Sequence, residues 1–230
     1  WRGLCQGRDV NALMTAGQLI NWGMPALAAD MLNALDCQRT LPLYLQASLL
    51  PKAERGELVV KAIDAFPQFV RFPNTLEEVA ALESIEECWF ARHLLACFYY
   101  NKRSYGKAIA LWQRCVEMSP EFADGWRGLA IHAWNKQHDY ELAARYLDNA
   151  YQLAPQDARL LFERDLLDKL SGATPEKRLA RLENNLEIAL KRDDMTAELL
   201  NLWHLTGQAD KAADILATRK FHPWEGGEGK

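Results

Sequence analysis

The stretch Leu95-Ala96-Cys97-Phe98-Tyr99-Tyr100-Asn101-Lys102-Arg103-Ser104-Tyr105-Gly106-Lys107-Ala108 decides the fold, because it returns further along the chain. Leu95, Ala96, Asn101 and Lys102 recur 34 positions later as Leu129, Ala130, Asn135 and Lys136. Tyr105, Ala108 and Pro120 recur 35 positions later as Tyr140, Ala143 and Pro155. The interval changes by one inside the turn, so the second copy carries one extra residue within Gln137-His138-Asp139.

Each repeated type has a physical reason. Ala96, Ala108, Ala130 and Ala143 let two helices approach closely, where a larger side chain would overpack the contact. Leu95, Leu129, Trp112 and Leu147 fill the groove between helices. Pro120 and Pro155 end the second helix of each pair, since proline lacks the N–H and disfavours helix in the residue before it.

Period and residue types resemble the tetratricopeptide repeat (TPR). The first copy reads Arg92-x-x-Leu95-Ala96-x-x-Tyr99, Ala108-x-x-x-Trp112, Pro120; the second reads Trp126-x-x-Leu129-Ala130, Ala143-x-x-x-Leu147, Pro155. The resemblance implies an all-α fold, an α-solenoid of about five or six antiparallel helix pairs, with a non-catalytic role in holding a protein or peptide. Four segments follow: 1–73, degenerate helix pairs with an aromatic connector; 74–156, a connecting helix and two clear repeats; 157–219, two degenerate pairs; 220–230, a Gly-rich tail.

Outside the clear copies, helix punctuation carries the reading. Helices are expected on both sides of Trp22-Gly23 within 12–35, over 43–50 and 54–66 around Pro51, and over 157–170. Thr75-x-x-Glu78 is a capping box for a helix over 76–86. Thr174-Pro175 starts a helix running to about Lys191, and 196–205, Gly207 and 209–217 form a last pair. Phe66 to Pro73 cannot be regular helix and reads as an aromatic connector.

Composition excludes several classes. The 230 residues are 49% hydrophobic, enough for a large core. A net charge of −4 without a basic stripe argues against nucleic acid. No run of about 18 apolar residues exists to span a membrane. Five cysteines without close pairing read as thiols in a reducing, cytoplasmic compartment. A start at Trp1 without Met reads as a fragment of a longer polypeptide.

A narrower resemblance rests on Phe72-Pro73-Asn74-Thr75-Leu76-Glu77-Glu78, Tyr100-Asn101-Lys102-Arg103 and Phe221-His222-Pro223-Trp224-Glu225-Gly226-Gly227-Glu228-Gly229-Lys230. These strings are similar to the C-terminal TPR region of large bacterial proteins with an uncharacterised β-rich domain upstream. The resemblance implies a second candidate partner, that upstream domain, and an alternative role as helical accessory to a carbohydrate-binding or carbohydrate-active protein.

No catalytic constellation is present and no cofactor is expected. Gly226 to Lys230 lacks the P-loop pattern, because Trp224 stands where the first glycine belongs. His93 and Cys97 are spaced i, i+4, but no second pair completes a metal set. Glu86-Glu87 and Asp193-Asp194 read as solvated charge, and no Gly-x-Ser-x-Gly elbow occurs. The remaining surface is the groove lined by the first helix of each pair. Its candidates are Phe90, His93, Cys97 and Tyr100 in one copy and Asp124, Arg127, Ile131 and Trp134 in the other, with Arg164, Asp165 and Asp168 in the next helix. In the tail the candidates are His222, Trp224 and Glu225. Cys97 and Ile131 replace the asparagines of chaperone-tail adaptors, which disfavours that role.

Overall fold

The computed structural model describes residues 1–5, 8–35, 38–65 and 71–221. The chain divides into two compact units, Trp1–Pro120 and Glu121–Lys230. All regular structure among the described residues is helical.

The first unit holds α1 (Arg2–Cys5), α2 (Asp9–Asn21), α3 (Pro25–Leu35), α4 (Thr40–Ser48), α5 (Gly56–Asp64), α6 (Leu76–Ser84), α7 (Trp89–Asn101) and α8 (Tyr105–Met118). A 3-10 turn, Lys52–Glu54, precedes α5. The Arg55 guanidinium ties this corner together, donating to the carbonyls of Ser48, Leu50 and Ser84 at 2.8–3.2 Å. Those carbonyls lie at and just beyond the ends of α4 and α6, where helical partners run out. The capping box forms as expected: Thr75 accepts from the Glu78 N–H, and the Glu78 carboxylate accepts from the Thr75 N–H. Of the aromatic connector, residues 66–70 lie outside the described residues; Phe72 is exposed and Arg71 pairs with Glu78.

The second unit holds α9 (Ala123–His132), α10 (Tyr140–Leu153), α11 (Ala158–Leu170), α12 (Pro175–Glu183), α13 (Leu186–Ala189), α14 (Asp193–Leu205) and α15 (Ala209–Thr218). The helix expected from Thr174 to Lys191 is broken. Asn185 turns its side chain onto the backbone, donating to the Arg181 carbonyl at 2.8 Å while accepting from the Tyr151 hydroxyl at 2.6 Å. Asparagine competes with the helical ladder in this way, and α12 ends two residues earlier.

One backbone feature marks the repeat further than residue identity does. The turn between the helices of a pair passes through a left-handed residue at Arg103, His138, Gly172 and Gly207, at intervals of 35, 34 and 35. Gly23 makes the same turn after α2. In the first copy the Ser104 N–H closes on the Tyr99 carbonyl. In the second, Asp139 reaches one residue further back, to Ala133, across a π-helical turn over Ala133–Gln137. The extra residue of the second copy, Gln137, is absorbed there.

Arg103 and His138 adopt the left-handed conformation without being glycine, which costs about 1 kcal/mol each. His138→Gly removes that strain and adds some unfolded-chain entropy. Chemical denaturation should show a net gain of about 0.5 kcal/mol. A loss would mean that the His138 side chain contributes more than its backbone costs.

Candidate functional site

In the two clear repeats the close contact within a pair is set by two positions. They are the eighth residue of the first helix and the fourth of the second. In α7/α8 these are Ala96 and Ala108, and in α9/α10 Ala130 and Ala143. All four are at most 1% exposed. In α11/α12 the same positions are Asp165 and Arg178. The small-on-small contact is replaced there by a buried ion pair, with side chains 2% and 5% exposed. Arg178 Nε donates to one Asp165 oxygen at 3.1 Å, and Arg178 Nη2 also reaches Glu198 on α14 at 2.7 Å. Burial pushes the Asp165 carboxyl up, against the pull of Arg178. Burial acts the same way on Glu198, but hydrogen bonds from Lys169 and Arg178 outweigh it and hold that carboxyl below its ordinary range.

Arg164 and Asp165 therefore face the interior of the unit and not the groove. Arg164 is 8% exposed and donates to Asp148 on α10 at 2.7 Å, besides pairing with Asp168 one turn on. The groove side of α11 carries Arg159, Glu163 and Leu166 instead. A charged residue in an amphipathic helix is read as outward by default, and paired burial defeats that rule.

Along the groove side, charges on successive first helices pair with each other. Arg127 on α9 holds Glu163 on α11 in a two-pronged bond, with Nε at 2.8 and 3.1 Å from the two oxygens. Arg159 donates to Asp124 at 3.0 Å, and Lys169 on α11 to Glu198 on α14 at 2.9 Å. Burial alone would lower the Arg127 pKa, but the bonds to Glu163 keep it above the ordinary value. Arg127 is thus committed within the unit.

Between these pairs lies a cavity of about 330 Å³ lined by Ala130, Ile131, Trp134, Asn135, Leu147, Glu163 and Leu166. Trp134 and Asn135 belong to the π-helical turn. Ile131, Trp134 and Leu166 are half-buried, and Asn135 is exposed. The expected Trp134 is here. Glu163, Leu166 and Asn135 were missed, although Glu163 stands one repeat beyond Arg127 with opposite charge.

In the first unit the candidates spread differently. Phe90 is in the core, 1% exposed, and stacks on His93, itself 7% exposed. They hold the helix positions of Asp124 and Arg127 in α9, yet here both are buried. Tyr100 is half-buried and packs its ring on Tyr105 and Trp112 at 5.1 and 5.4 Å. His222, Trp224 and Glu225 lie outside the described residues. Among the described residues, no three His, Cys, Asp or Glu side chains gather to hold a metal, and no helix is long and apolar enough to cross a membrane.

No family model matches the chain. Among solved structures, it is similar to MamA protein, with 14% identity over 77% of this chain and 88% of that one, at a TM-score of 0.50. It is also similar to a chain of the anaphase-promoting complex hetero-tetramer Cut9-Hcn1, with 14% identity over 87% of this chain and 37% of that one, at 0.50. A TPR protein with a peptide-binding site, YrrB, aligns at 18% identity over 77% and 83%, with a TM-score of 0.46. Repeat, helix pairing and the two likenesses at a TM-score of 0.50 give the fold: an α-solenoid of TPR-type helix pairs.

The Asp165–Arg178 pair yields a double-mutant test. Either single alanine leaves a buried partner charge and should cost about 3 kcal/mol or more in denaturant unfolding. The double variant strands neither charge, so its loss should be smaller than the sum of the two single losses. Additive losses would refute the buried pairing.

Proposed function

We propose that the chain is a non-catalytic interaction module that seats a polypeptide segment in the groove of its second unit. The observation that carries this is the cavity at Trp134. It is apolar at its walls, through Ile131, Leu147 and Leu166, and polar at its rim, through Asn135 and Glu163. Sites of this make-up take a large apolar side chain and fix its backbone with a few hydrogen bonds. Aromatic residues in such positions tend to supply the anchor energy. The pairing of Arg127 with Glu163 argues against a clamp for a terminal carboxylate, since the cation is already neutralised. A separate protein and a further segment of the same polypeptide present the same chemistry. The thiols of Cys5, Cys88, Cys97 and Cys115 fit a reducing, cytoplasmic setting.

The test is a random-peptide selection against the whole chain, followed by titration of the selected peptides. Enriched sequences should share one bulky apolar residue. Trp134→Ala and Leu166→Glu should each weaken binding about tenfold or more in protein that circular dichroism shows to be folded. Selected peptides that bind both variants as well as the parent would dispose of this groove as the site.

A further inference from the structure

On α7, His93 and Cys97 stand one turn apart with Nε2 and Sγ separated by 3.6 Å, within hydrogen-bonding range for sulfur. The imidazole is held in place by stacking on Phe90, with ring centroids 6.0 Å apart and planes 12° from parallel. Exposure separates this thiol from the others. Cys97 is half-buried and reachable. Cys5, Cys88 and Cys115 are 1%, 2% and 0% exposed. Cys88 lies 3.2 Å from the Tyr44 hydroxyl, itself fully buried. Burial, with smaller contributions from Cys88 and Cys97, pushes the Cys115 thiol up to about 12 and keeps it protonated. Of the four thiols among the described residues, Cys97 thus combines access with a neighbouring base, the two requirements for a nucleophilic cysteine.

We propose that Cys97 is a thiol-modification site, activated by His93, that exchanges with low-molecular-weight disulfides of the glutathione class. The Cys97 proton passes to Nε2 of neutral His93. The sulfur then attacks one sulfur of the small disulfide and the S–S bond breaks. The released half leaves as a thiolate and takes the proton back from the imidazolium. Cys97 is oxidised to a mixed disulfide, the small disulfide is reduced to one thiol, and no further oxidant enters. The site lies one turn before Tyr100. The modification would add a charged, bulky group to the face of α7 that carries Cys97 and Tyr100.

The experiment exposes the fully reduced whole chain to oxidised glutathione at neutral pH. Samples are quenched by alkylation and mapped by mass spectrometry. The mixed disulfide should form first at Cys97, with Cys5, Cys88 and Cys115 slower by about tenfold or more. His93→Gln should slow exchange at Cys97 by about threefold to tenfold. The gain in thiolate is partly cancelled by its weaker nucleophilicity, which keeps that factor modest. Cys97→Ser should leave Cys5, Cys88 and Cys115 at their slow rates. A peptide of residues 91–103 supplies a reference that does not depend on any variant folding, and the whole chain should react faster at Cys97 than that peptide does. Equal or slower reaction than the peptide, or a His93→Gln rate equal to the parent's, would overturn the proposal.

Discussion

Two helices can lie close together only where no bulky side chain stands between them. In the two clear repeats that constraint falls on two positions per pair, the eighth residue of the first helix and the fourth of the second. Alanine meets it in α7/α8 and α9/α10, and each alanine is sealed from solvent. The α11/α12 pair does not make that close approach: an Asp165–Arg178 ion pair spans the wider gap from the same two positions. Charge replaces smallness there, and the bidentate geometry is what makes burial of both groups tolerable. Because Arg178 also reaches Glu198, the ion pair joins three helices where an alanine contact joins two.

The groove side inherits the same economy. Arg127 with Glu163, Arg159 with Asp124, and Lys169 with Glu198 neutralise one another between successive first helices. Charge that could have gripped a ligand instead links one repeat to the next. Between these pairs the groove side keeps an apolar space around Trp134. The π-helical turn that places Trp134 and Asn135 at that space exists because the second copy is one residue longer than the first. Such turns recur at functional sites, since they break the regular presentation of side chains along a helix.

The centre of the fold was legible because Ala96, Ala108, Ala130, Ala143 and the two prolines carry the packing rules in their identities. The third repeat was legible only as helices. Asp165 and Arg178 do not look like alanine, so the pattern could not reveal that they occupy its places. The left-handed turn was hidden for a related reason: Gly172 and Gly207 advertise it, whereas Arg103 and His138 do not. Position in the repeat was enough to put Trp134 beside the cavity and Arg127 on the groove side. The burial of Arg164 and Asp165 and the recruitment of Glu163 depend on pairing across helices. A single helix read alone contains no record of that pairing. The break at Asn185 likewise depends on Tyr151, 34 residues away.

The central claim is that the space around Trp134 stands open for a partner and is not closed by the protein itself. Hydroxyl-radical footprinting of the native chain, read at single tryptophans, tests it most directly. Trp134 should be oxidised well ahead of Trp112 and Trp203, which are 3% and 4% exposed. Protection of Trp134 to the level of those two core residues would contradict the account.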